Sequence, residues 1–155
     1  RPAIDVEMID LALTLLGEAD VRKWLSFIVL SSMGSDKPLE LIRWTIIRAK
    51  FCESIAAELD YTGDLPNFFL MGMFSMVDAF LDRPMEEILA ELPLAPPLKA
   101  ALLGNPNRFR DVLQLVIDYE RGDWKYFDEI SDHLKLPGHK ITALYMDAVE
   151  WGKFL

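Results

Sequence analysis

Phe68-Phe69-Leu70-Met71-Gly72-Met73-Phe74-Ser75-Met76-Val77-Asp78-Ala79-Phe80-Leu81 is the stretch whose reading decides the fold. Apolar side chains occupy nearly every side of it, with a lone glycine at position 72. Asp64-Leu65-Pro66 stands just ahead, and proline loses nothing at a first helical position because its missing N–H has no partner there anyway. The stretch therefore reads as a buried helix.

Similar punctuation recurs on both sides. Upstream, a long helix is expected from Ala19 to Met33, ending at Gly34. Asp36 and Pro38 then open an amphipathic helix through about Asp60, with Leu39, Leu41, Ile42, Ile46, Ala49, Phe51, Ile55 and Leu59 near the helical repeat of about 3.6 residues. Downstream, Asp82-Arg83-Pro84 starts a shorter helix, with Glu86 and Glu87 favourably placed in its first turn. Pro96-Pro97 starts another that Gly104 ends. Asn105-Pro106 begins the next, which runs to Arg121-Gly122. Asp123 caps a further one, and Pro137-Gly138 precedes a last helix to Phe154. Strand signals are nearly absent: β-branched alternation never lasts, and no Asn-Gly or Asp-Gly hairpin pair occurs. The expected fold is all-α, about nine helices joined by short turns in one domain over residues 1–155. The N-terminal Arg1 to Asp10 reads as an extended lead-in to a short helix.

Bulk properties narrow the function. At 155 residues and 52% apolar composition, the chain can bury a real core. Its net charge of −9 opposes a broad nucleic-acid face, which would need clustered Lys and Arg. Local basic spacings at Arg43, Arg48 and Lys50, and at Arg108 and Arg110, read as solvated helix faces. Cys52 is the single cysteine, so no internal disulfide forms and a buried small apolar role is expected. No apolar run of about 18 residues is present, and no signal peptide is evident, so a cytoplasmic protein without a membrane partner is expected.

Chemistry-bearing constellations are missing. A metal hydrolase needs several His, Asp or Glu side chains at one point. The two histidines, His133 and His139, lie in a charged helix and at a helix start, and both read as surface residues. Neither G-x-x-x-x-G-K-[ST] nor G-x-G-x-x-G occurs. Ser75 has no general base near it in sequence, so a hydroxyl satisfied by a backbone carbonyl is expected. Glu86, Glu87 and Glu91 read as a solvated acidic stripe. Met71, Met73, Met76 and Met85 read as core filling, and Trp24, Trp44, Trp124 and Trp151 as packing anchors, some of them on an interface.

Several segments together resemble one family. They are Arg48-Ala49-Lys50-Phe51-Cys52-Glu53, Phe69-Leu70-Met71-Gly72-Met73-Phe74-Ser75 and Asp82-Arg83-Pro84-Met85-Glu86-Glu87-Ile88-Leu89 with Leu92-Pro93-Leu94. Tyr119-Glu120-Arg121-Gly122-Asp123-Trp124 and Leu144-Tyr145-Met146-Asp147-Ala148-Val149-Glu150-Trp151 complete the pattern. The combination, spanning about Leu11 to Trp151, is similar to the HDOD domain, a modified HD-GYP-type module. In many bacterial signalling proteins that module follows an EAL domain of the cyclic di-GMP phosphodiesterase type. In HD-type phosphohydrolases a glycine and two apolar residues precede the metal-binding His-Asp pair. The matching frame here is Gly72-Met73-Phe74, followed by Ser75 and Met76.

The resemblance implies an all-helical, HD-domain-like bundle in bacterial signal transduction that hydrolyses nothing. No catalytic residue, metal ligand or cofactor is carried over. The blanked site would be a vestigial pocket around Trp44, Thr45, Gly72, Ser75, Met76 and Asp78, with Met73 beside it. Trp124 and Trp151 are the interface candidates. The implied partners are an EAL domain in the same polypeptide, another protein, or a second copy. A degenerate phosphohydrolase and a nucleotide or small-molecule sensor using the vestigial pocket are the alternatives. Relatives carry several more helical turns between the segments like Ile4–Asp10 and Ala12–Glu18, so roughly 30 residues are expected to be missing near Asp10-Leu11.

Overall fold

The computed structural model describes residues 39–92 and 94–153. The expected helix Ala19–Met33, the N-terminal lead-in, the suspected missing segment at Asp10-Leu11 and the endpoint at Phe154 lie outside the described residues. Within them the fold is all-α, with eight α-helices, one 3-10 turn and no strand. In chain order the helices are α1 (Leu39–Glu58), α2 (Leu65–Phe74), α3 (Val77–Leu81), α4 (Met85–Glu91), α5 (Pro96–Leu102), α6 (Arg108–Arg121), α7 (Trp124–Leu134) and α8 (Gly138–Gly152). The 3-10 turn, Thr62–Asp64, leads into α2.

The helix α1 is the spine. It packs most extensively on α2, then on α8, and also touches α6. The expected single apolar stripe is therefore too narrow a description. Thr45, Ile46, Ala49, Phe51, Cys52, Glu53, Ile55 and Ala56 are all buried, because neighbours cover α1 on more than one side. Thr45 settles its hydroxyl by donating to the Leu41 carbonyl at 2.7 Å, one turn back. The chain leaves α1 through Asp60, whose φ is 62°, and the Tyr61 N–H reaches back to the Ala56 carbonyl at 2.9 Å.

Two apolar clusters share α1 and α2. The larger includes Phe51, Cys52, Ile55, Phe68, Met71, Val112, Leu115 and Ile141. The smaller gathers Ile46, Ala49, Phe69, Met73, Val77, Phe80 and Ile88. Adjacent residues of α2 thus serve different clusters, which is why that helix is apolar nearly all round.

The stretch Phe68 to Leu81 is not one helix. It breaks after Phe74, and Ser75 and Met76 form the corner before α3. The Ser75 N–H bonds to the Met71 carbonyl at 2.9 Å, and its hydroxyl donates to the Gly72 carbonyl at 2.6 Å. A serine hydroxyl competing for a helix carbonyl is a known cause of such bends. Beyond the corner, Asp78 and Ala79 face solvent, so the second half is only partly buried.

The remaining boundaries follow local chemistry. Asn107 caps α6 by accepting from the Arg110 N–H at 2.8 Å, and its own amide donates to the Pro97 carbonyl at 3.0 Å. Gly122, at φ 67°, ends α6, and the Asp123 N–H bonds the Asp118 carbonyl at 3.0 Å. Asp123 stands at the N-cap of α7 but makes no side-chain cap bond there, so its expected capping role is positional only.

Candidate functional site

Gly72 explains how α1 and α2 approach so closely. A methyl group at its Cβ position would lie 2.7 Å from the Ala49 Cα and 3.0 Å from the Arg48 carbonyl oxygen. Backbone meets backbone there, and no larger residue fits without separating the helices. This contact fixes where Ser75, three residues on, meets α1.

At that point lies a polar junction between three helices. Arg48 of α1 donates from Nε to both carboxylate oxygens of Glu120 at 3.2 Å, and from Nη2 to Oε1 at 2.5 Å. Its Nη1 donates to the Ser75 Oγ at 3.1 Å. Both charged side chains are only 14% exposed. A forked, nearly buried pair of this kind contributes little over an apolar replacement, yet removing one partner leaves a costly bare charge. Its effect is to set the register of α1, α2 and α6.

The junction's chemistry is spoken for. The Ser75 proton goes to the Gly72 carbonyl while its oxygen accepts from Arg48, so no base is positioned to activate it. Arg48 holds the Glu120 carboxylate in place with three donated bonds. Cys52 lies one turn beyond Arg48 on α1 and is fully buried. Burial pushes its thiol up from 9.0 to about 12, against the pull of Arg48 and with a further rise from Glu120. Such a thiol is inert. Tyr145 is also held above its ordinary value, first by burial and then by Glu120 and Tyr119.

The sequence-predicted pocket residues divide. Gly72 and Ser75 belong to the junction. Trp44 is 59% exposed and lines a cavity of about 60 Å³ with Ile47, Glu120 and Tyr145. Thr45 is buried with its hydroxyl turned back on its own helix. Met76 packs against the smaller core cluster, with Met73 inside it. Asp78 is exposed in the first turn of α3, where its carboxylate accepts from the Ala79 N–H at 3.0 Å. A nucleotide site usually needs at least about 300 Å³, far more than this cavity offers.

Of the interface candidates, Trp124 is 54% exposed and meets Tyr119 and Phe127 edge to face. Trp151 meets Phe69 the same way, with the Lys50 ammonium 5.6 Å from its ring centre. His133 and His139 are exposed. Among the described residues, no three His, Cys, Asp or Glu side chains are grouped so as to hold a metal. No described helix is long and apolar enough to cross a membrane.

Arg48, expected on a solvated face, instead lies nearly buried in the junction. Its pairing with Glu120 spans 72 positions, beyond the reach of any periodicity. One signal was available: Arg48 interrupts the apolar run Ile46-Ile47-Arg48-Ala49, and an arginine there needs a partner.

Comparison with known proteins gives two relatives. The chain is 36% identical over 149 residues to the uncharacterized protein YuxH of Bacillus subtilis, a match covering 94% of this chain and 36% of that protein. It is 29% identical over 153 residues to the cyclic di-GMP phosphodiesterase CdgJ of Vibrio cholerae, covering 99% of this chain and 35% of that one. No protein-family model matches the chain. No solved structure matches it either. The chain therefore spans about a third of the length of the curated relatives it resembles, one of them a protein named for cyclic di-GMP phosphodiesterase activity.

Proposed function

We propose that this chain is a non-catalytic, HDOD-like domain of a cyclic di-GMP-linked signalling protein, and that it acts through contacts with a neighbouring EAL domain, a partner protein or a second copy. The observation that carries the reading is the Arg48 guanidinium. In the HD frame, Ser75 and Met76 stand where a metal-binding His-Asp pair would be. Ser75 instead accepts from Arg48, and Arg48 grips Glu120 of α6. A fixed guanidinium thus ties α1, α2 and α6 together at the position where the HD frame would call for metal ligands. The similarity to a named cyclic di-GMP phosphodiesterase supports the signalling context, and the one-third coverage supports a piece of a longer polypeptide.

The cavity beside Trp44 is too small for a nucleotide, which favours contacts over sensing at this site. The test compares cyclic di-GMP hydrolysis by the intact gene product with that of the 155-residue chain, alongside metal analysis of both. The chain alone, folded by circular dichroism, is expected to show no turnover and no stoichiometric metal. Metal-dependent turnover by the chain would overturn the reading in favour of a degenerate phosphohydrolase.

A further inference from the structure

On α6 and α7, away from the Arg48 junction, an open groove of about 540 Å³ runs along the hairpin that these helices form around Gly122. From this groove we infer a docking surface for a lysine- or arginine-rich peptide segment of a partner protein. Asp111, Asp118, Asp123 and Glu129 line it, with Arg121 and His133 as the basic side chains among them.

Asp118 is the most telling of these. It is 4% exposed, and its Oδ1 accepts from the Gln114 amide at 3.0 Å. The Gln114 oxygen is already taken by Arg110 at 2.6 Å, which fixes the amide's orientation. No hydrogen bond among the described residues engages the second oxygen of Asp118, and none of their sealed polar side-chain atoms lacks a partner. That oxygen must therefore open to the groove. Arg110, joined to Asp118 through Gln114, meets part of this charge, and the free acceptor leaves room for one further donor from the groove.

Geometry selects the donor's form. A metal ion needs ligands converging at about 2.0–2.6 Å, whereas these carboxylates are strung along two helices and no metal-holding group forms among the described residues. A phosphate-bearing ligand meets the wrong sign of charge. An extended polycation fits, and the Tyr126 ring and Ile130 on the α7 wall give its aliphatic stems an apolar surface. A peptide uses both features; a bare polyamine uses only the charge.

The experiment measures fluorescence anisotropy of a labelled Arg/Ala-alternating peptide of about a dozen residues added to the intact protein, with a Glu/Ala peptide as control. Saturable binding of the basic peptide alone is expected. Asp118→Asn with Glu129→Gln should weaken it by at least about tenfold, and Asp123→Asn with Glu129→Gln, which spares the buried position, by several-fold. Glu86→Gln with Glu87→Gln, an equal charge change on α4, should leave it within about twofold. Absence of saturable binding, equal weakening by the α4 pair, or complete displacement by equimolar spermidine or magnesium would overturn the inference.

Discussion

Gly72 is the residue on which the α1–α2 contact turns. Since its Cβ position lies 2.7 Å from a backbone atom of α1, no rotamer change relieves a substitution. Gly72→Ala is expected to cost about 3 kcal/mol or more in urea denaturation, even though alanine is the better helix former. A cost below about 1 kcal/mol would show that the helices separate freely. Arg48 and Glu120 carry a different kind of energy. Arg48→Met should cost about 3–5 kcal/mol by leaving a buried carboxylate, whereas Arg48→Met with Glu120→Leu should recover most of the loss. Additive losses in that cycle would mean that the pair is not a unit. Cys52 predicts a pH effect. Below pH 9.0 the thiol is protonated in both states and its contribution is constant. Between 9.0 and about 12 only the unfolded thiol ionises, so stability falls by about 1.4 kcal/mol per pH unit from this group. Cys52→Ala should flatten the denaturation slope above pH 9.0 by that amount, and an unchanged slope would refute the assignment.

At the scale of elements, helix starts were legible where proline or a polar cap marks them. Leu65–Phe74, Met85–Glu91 and Pro96–Leu102 begin within a residue of their proline signals, because proline's fixed φ acts locally. The corner at Ser75-Met76 was not legible. The residues on either side of it, Met73, Phe74 and Val77, are apolar, and the Ser75 hydroxyl bonding back to Gly72 marks the break. Asn107 does more than a cap does, since it also ties the start of α6 to the start of α5. Asn107→Ala is accordingly expected to lower stability by about 1–2 kcal/mol, at or above the usual cap value. A loss confined to a few tenths in thermal melting would show that the second bond adds nothing.

At the scale of the molecule, the two apolar clusters share α1 and α2, so neither can melt while those helices persist. Phe80→Ala in the smaller cluster and Val112→Ala in the larger should therefore lower one common transition. Tryptophan fluorescence and far-ultraviolet circular dichroism are expected to report coincident midpoints for both variants. Separate midpoints would divide the core into independent parts.

What the amino-acid order determined by itself was the helical class and most boundaries. Those properties depend on residues within a turn or two of each other: repeat, caps, prolines and adjacent side chains. Tertiary structure alone decided that a guanidinium from α1 meets Ser75, that Glu120 of α6 holds it, and that a nearly buried Asp118 lines an acidic groove. Each of those pairs or covers residues on separate helices, and charge pairing in a folded chain follows distance in space, which periodicity along the sequence does not encode.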